Sequence, residues 1–137
     1  MLFFYYKGDY VNMYTSYFAR RKQLLQMGYT NLISIAGKSM DDFVKFYGDD
    51  IKKHEYKTLA PKYWFFKKYK EDGDEEYYTE QYYKEVLSKL NAKDVFKKLG
   101  DDAVLLCWEA PNKFCHRHLV ADWLNNELGL NVREIVF

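Results

Sequence analysis

Ala103-Val104-Leu105-Leu106-Cys107-Trp108 is an unbroken apolar run that follows a turn signal at Gly100-Asp101-Asp102. A helix with one buried face repeats its apolar residues three and four apart, and a half-buried strand alternates. A short continuous run fits neither pattern and suits a strand covered on both faces. Such a strand needs packed layers above and below it, which points to a sheet with helices on either side.

The rest of the chain supplies those layers. Leu32-Ile33-Ser34-Ile35-Ala36 reads as a second buried strand and Asn12-Met13-Tyr14-Thr15-Ser16-Tyr17 as a third. Val132-Arg133-Glu134-Ile135-Val136-Phe137 alternates more and suits an edge strand. Leu2 to Tyr6 adds a fifth strand candidate, turning at Lys7-Gly8-Asp9. Helices are expected over Phe18–Met27, over Met40–Tyr47 and from Pro61 through Lys70. Others are expected over Glu80–Leu90, with a continuation Ala92–Leu99 that begins at Asn91, and over Phe114–Leu128. Ser39 with Asp42 three residues on resembles a capping box, and Thr79 is a cap candidate. Gly28, Gly48, Gly73, Gly100 and Gly129 each follow one of these stretches, where the left-handed region ends helices.

Strands alternating with helices predict an α/β fold, a single-domain three-layer sandwich of Rossmann-like type. Its sheet is expected to be mostly parallel, with about four to five strands and helices on both faces. The 137 residues are expected to form one domain, 1–137. Ligands of such sheets bind beyond the carboxyl ends of the strands. Those ends fall near Thr15-Ser16-Tyr17, Ala36-Gly37-Lys38-Ser39 and Cys107-Trp108-Glu109.

Charge narrows the partners. The net charge is +1, from 21 basic and 20 acidic residues, so a general grip on nucleic-acid phosphates is not indicated. No apolar run of about 18 residues exists and the start lacks a signal-peptide pattern. A cytoplasmic protein with no membrane partner is expected. Its two cysteines are then expected to be free thiols. Phosphate-loop, dinucleotide-binding and nucleophile-elbow motifs are missing, and no cofactor is expected. Gly37-Lys38-Ser39 is a weak echo of a phosphate-loop tail.

The chemistry concentrates in Cys107-Trp108-Glu109-Ala110-Pro111-Asn112-Lys113-Phe114-Cys115-His116-Arg117-His118, which holds both cysteines and two of the three histidines. At about 100° per residue, His116 falls within the apolar stripe of Leu119, Val120, Trp123 and Leu124 and looks inward. His118 points the opposite way, toward water. Cys115 lies in the first helical turn, where free backbone N–H groups and Arg117 favour a thiolate or hold an anion. Glu109 follows the strand, placed for acid–base work or for pairing with Arg117. Cys107 reads as a core residue or a wall of the site. Structural zinc sites favour cysteines two to four residues apart; Cys107, Cys115 and His116 supply three ligands only if the loop folds back, so the anion site is preferred and no metal is expected. His54, in Lys52-Lys53-His54-Glu55, reads as loop surface.

Three stretches resemble the family catalogued as domain of unknown function 488. They are Tyr14 to Arg20, then Ile33-Ser34-Ile35-Ala36-Gly37 with Leu59-Ala60-Pro61, and most specifically Leu105 to Glu109 with Phe114 to Leu124. The family's pattern is a cysteine and an acid after a strand, then Cys-His-Arg opening a helix. The matching residues are Cys107, Glu109, Cys115, His116 and Arg117. The resemblance runs from about Met13 to Glu134, which makes 1–12 look like an N-terminal strand addition, and it implies an α/β domain of bacteria, archaea or their phages while leaving the activity open.

The leading expectation is an enzyme or binding protein for an anionic, nucleotide-like or phosphate-like small molecule. Cys115 is its nucleophile, His116 the partner of that thiol, and Glu109 the acid–base group. Arg117 holds the anion, with Cys107, Thr15, Ser16 and Ser34 lining the site. One alternative is a nucleic-acid-binding module without catalysis, resting on Tyr63 to Lys70 and Arg20-Arg21-Lys22. The other is a protein-interaction domain in which the cluster is structural.

Overall fold

The computed structural model describes residues 12–137. The expected strand at Leu2 to Tyr6, and with it all but the last residue of the N-terminal addition, lies outside the described residues.

Among the described residues, the core of the fold is a four-stranded, all-parallel sheet. Its strands are β1 (Tyr14–Tyr17), β2 (Leu32–Ser34), β3 (Val104–Cys107) and β4 (Arg133–Glu134), in the order β2-β3-β1-β4. The apolar run lies in the interior, paired with β1 in the register Thr15 to Leu105 and with β2 in the register Ile33 to Leu105. Among the described residues, β4 of the alternating C-terminal segment lies at the edge, as expected.

Strand periodicity sends successive side chains to opposite faces. Leu105 and Ile33 join a core with Phe65, Tyr82, Val120 and Leu124. Val104, Leu106 and Leu32 join a second core with Phe18, Leu24 and Phe43. The first face is covered by α3 (Tyr63–Asp72), α4 (Glu75–Glu85), α5 (Ala92–Leu99) and α6 (His116–Leu128). The second is covered by α1 (Arg21–Gln26) and α2 (Asp41–Tyr47). This is the three-layer α/β arrangement that the apolar run demands.

Several boundaries differ from expectation. Helix α4 begins at Glu75, well before Thr79, because the Asp74 carboxylate accepts the Tyr77 N–H at 3.0 Å and caps it. Thr79 sits inside the helix and donates its hydroxyl to the Glu75 carbonyl. Ser39 does not cap α2. Met40 holds that position, and the Ser39 hydroxyl bonds Ser34 and Glu55 instead. Helix α6 starts two residues later than expected, with Cys115 in the cap position. Gly129 ends it in the left-handed region, its N–H on the Asn125 carbonyl at 2.9 Å. No helix among the described residues is long and apolar enough to cross a membrane.

Candidate functional site

Parallel pairing aligns the carboxyl ends of β2 and β3 on one edge of the sheet. Beyond that edge lies a cleft of about 530 Å³. Ala36, Gly37 and Lys38 line it from the end of β2, and Cys107, Trp108 and Glu109 from the end of β3. Pro61, Tyr63, Phe66 and Lys70 close the far side, from α3 and the loop before it. Cys115 and His116, at the start of α6, complete the lining.

Cys107 is the last residue of a strand and Cys115 caps a helix, so the intervening loop brings one sulfur to the other. The two are joined as a disulfide, and neither is free. This corrects the expectation of free thiols. Their Cα atoms are 7.5 Å apart. Both residues are buried, at 1% and 6% exposure, as is His116.

His116 carries out the inward placement expected of it. Its Nε2 lies 2.8 Å from the Ile35 carbonyl oxygen, which can only accept, so Nε2 carries the proton. Nδ1 is then bare and lies 3.8 Å from Cys115 Sγ. The Tyr82 ring packs edge-on against the imidazole, with centroids 5.6 Å apart. Burial pushes the His116 pKa down to about 4. The Ile35 hydrogen bond opposes that shift, and the charges of Arg117 and His118 reinforce it. The ring is neutral at neutral pH, with an available lone pair.

Arg117 differs from expectation. Its side chain is fully buried and does not line the cleft. Nε and Nη2 donate to the two Glu134 oxygens at 3.0 and 2.9 Å. Nη1 donates to Cys107 Sγ at 3.0 Å and to the Glu109 carbonyl at 2.8 Å. A guanidinium committed in this way has little left for an incoming anion, so Arg117 is a latch rather than the expected anion holder. It binds the start of α6 to β4 and to the loop after β3. Glu109 is not its ionic partner, because the Glu109 carboxylate turns to Lys70 at 3.6 Å.

Thr15, Ser16 and Ser34 were expected as a wall of the site, and none of them lines the cleft. Thr15 donates its hydroxyl to Glu134 at 2.5 Å. The Ser39 hydroxyl gives its one proton to Glu55 at 2.6 Å, so the Ser34 hydroxyl 2.9 Å away donates to Ser39. The Ser16 hydroxyl is buried with no hydrogen-bond partner among the described residues. All three point away from the edge because strand side chains stand perpendicular to the sheet, whereas the cleft lies beyond the strand ends. His118 is half-buried rather than at the surface, and burial lowers its pKa first, then the charge of Arg117. His54 stacks on Tyr47 with ring centroids 3.5 Å apart and bonds the Leu32 carbonyl.

The cysteine segment supplies the floor of the cleft and Glu109, and remote parts of the chain supply the rest of its lining. Trp108 is 47% exposed, with its indole N–H held by the Lys38 carbonyl at 2.7 Å. Tyr63 and Phe66 offer two more rings, and Lys38 and Lys70 two positive charges. The aromatic and basic mixture of Tyr63 to Lys70 was the available signal. Nothing local tied that helix to the cysteine segment. Glu134 was also missed, because its only mark in sequence is an acid within an edge strand.

A family model described as DUF488-N3a, active DUF488-N3 subclade, matches residues 34–128. The matched span runs from the end of β2 to the end of α6 and contains every residue that lines the cleft. No curated protein and no solved structure matches the chain.

Proposed function

The chain belongs to the DUF488 family, in the subclade described as active, and from that premise we propose an enzyme whose substrate is a planar anion of nucleotide type. The observation that carries this reading is the convergence of three rings, two lysines and a sulfur–imidazole floor on one cleft. Stacking on an aromatic side chain contributes about 1–3 kcal/mol per base. Trp108, Phe66 and Tyr63 are the rings for such a base. Lys38 and Lys70 take over the anion role expected of Arg117. Neither is buried against a fixed partner in the way Arg117 is, although Lys70 leans on Glu109.

The reacting groups are Cys115, His116 and Glu109, with Cys107 as the partner of Cys115. Joined sulfurs offer neither nucleophile nor ligand, so the working form is the reduced one. His116 presents its bare Nδ1 to the sulfur, and Glu109 is the carboxylate on the same wall. Titration of the reduced full chain with mononucleotides at low salt, followed by tryptophan fluorescence, tests the reading. Saturable quenching that weakens in the Trp108→Ala and Lys38→Ala variants supports it. A flat titration for every nucleotide would remove it.

A second reading, single-stranded nucleic acid as substrate, is favoured by Tyr63 and Trp64, which are 72% and 50% exposed on α3. Affinity that grows with oligonucleotide length points to a strand. Affinity equal to that of the mononucleotide points to the free nucleotide.

A further inference from the structure

We propose that Cys107 and Cys115, when reduced, hold one divalent metal ion of the zinc class together with His116, leaving its fourth coordination position open to the cleft. The proposal rests on the cleft reading for what meets the open position and is independent of it for metal binding itself.

The donor set comes first. Cys107 Sγ, Cys115 Sγ and a His116 ring nitrogen lie within 4.8 Å of one another. Thiolate and imidazole are the ligands that select zinc and its borderline-soft relatives over magnesium or calcium. Two sulfurs that each lie about 2.3 Å from a tetrahedral ion sit roughly 3.7 Å apart. Disulfides ordinarily span Cα separations of about 4.4–6.8 Å. The 7.5 Å between these Cα atoms leaves the side chains room to part and admit an ion.

The groups behind the ligands make the second observation. Metal-binding histidines usually give their other ring N–H to a carbonyl or carboxylate, which fixes the tautomer and aims the free nitrogen. His116 does this with the Ile35 carbonyl at 2.8 Å, and the nitrogen left bare is the one beside Cys115. Cys107 accepts an N–H from Arg117, a fixed and fully buried cation. A cation next to a sulfur favours thiolate, the form in which sulfur ligates. Both ligand types therefore have their outer partners in place.

Three protein ligands with an open position mark a catalytic zinc site, whereas structural sites are closed by four. Here the open side is the cleft, since all three ligands line it. The reaction class that follows is hydrolysis. Water on such an ion ionises near neutral pH. Its oxygen forms the new bond to an electrophilic carbon or phosphorus, its proton passes to Glu109, and the departing group takes that proton. The electrons and atoms balance with water as the sole co-reactant. Opening the disulfide takes two electrons and two protons, supplied by a thiol reductant that is itself oxidised to a disulfide. Binding of the ion then releases the two thiol protons. The bound and metal-free forms are thus coupled to redox state.

The test uses the full chain in two forms, oxidised and reduced with a phosphine that does not chelate. Each is titrated with cobalt(II) without nucleotide, and zinc content is measured after gel filtration. The reduced chain is expected to take up one ion, with the thiolate-to-cobalt charge-transfer absorption and intense visible bands of a tetrahedral site. The oxidised chain is expected to take up none. His116→Ala and Cys115→Ser are expected to lose the stoichiometric uptake, and His54→Ala to retain it. Circular dichroism on each variant separates a lost ligand from a lost fold, and the oxidised–reduced comparison needs no variant. Less than about a tenth of an ion on the reduced wild type would overturn the proposal, as would equal uptake by the oxidised chain. Metal uptake without nucleotide binding would remove the cleft reading alone. Nucleotide binding without metal uptake would remove the metal alone.

Discussion

Arg117 and Glu134 meet fork to fork, with Nε 3.0 Å from one carboxylate oxygen and Nη2 2.9 Å from the other. One residue opens α6 and the other lies on the edge strand, so the pair ties the layer that carries His116 to the far side of the sheet. Arg117 is fully buried and Glu134 partly so; removing one member of a fully buried pair typically costs about 3–5 kcal/mol, which sets the upper range here. Arg117→Met also strips a donor from the Glu109 carbonyl and from Cys107. Urea denaturation is expected to show a loss of about 3 kcal/mol for Arg117→Met. A loss smaller than that of an ordinary surface substitution would show that the latch contributes nothing.

The same pair sets an acid limit. Burial alone would raise the Glu134 pKa, but hydrogen bonds from Arg117 and Thr15 outweigh it, and the folded pKa lies below the ordinary 4.5. The folded state then binds fewer protons than the unfolded state across that interval. The contribution of Glu134 is complete above pH 4.5 and disappears as pH falls through the folded pKa. Denaturation midpoints taken from pH 6 to 3 are expected to drop less steeply in Glu134→Gln than in the wild type. Parallel curves would refute this assignment.

Tyr82 is fully buried and donates its hydroxyl to the Leu59 carbonyl at 2.5 Å. Leu59 lies just before Ala60-Pro61, where the chain turns toward the cleft. Tyr82→Phe keeps the ring against His116 and leaves that carbonyl unpaired. An unsatisfied buried acceptor costs about 1–3 kcal/mol. A melting-temperature fall is expected, and an unchanged melting temperature would mean that water replaces the hydroxyl.

Neither cysteine is available while the disulfide stands. Mass spectrometry after iodoacetamide treatment is expected to show no adduct on the unreduced chain and two on the reduced, unfolded chain. Cys115→Ser is expected to give one adduct, on Cys107, when unfolded without reduction. An adduct on the unreduced wild type would contradict the bond.

Trp108 is anchored at its indole N–H and exposed over its face. If it stacks on the substrate, Trp108→Ala weakens nucleotide binding by about 1–3 kcal/mol, a factor of roughly five to a hundred and fifty. The fold is expected to hold, since the ring's packing against Phe18 is at one edge, with centroids 5.1 Å apart. Unchanged affinity in the titration would exclude Trp108 as a wall of the binding site.

The fold was legible from local pattern. A short apolar run bounded by a turn suits a strand buried on both faces, and Val104 to Cys107 of that run form β3, with Trp108 exposed just beyond it. Helical periodicity likewise turned His116 inward. The cysteine segment could be named as a site because all of its groups lie within twelve residues of chain. Three things were not legible, and each depends on distance in space between residues remote in sequence. Arg117 chose Glu134, 17 residues on, over Glu109, eight back, because the parallel register of β4 carries that carboxylate beneath α6. Helix α3 brought Tyr63, Phe66 and Lys70 to the cleft because the first core needed Phe65 on its other face. The sulfurs met because a strand end and a helix start converge there. Sequence determines which elements form, since periodicity and turn chemistry act between neighbours. Tertiary structure alone decides which side chains share a site, since that depends on register and on which helix covers which face.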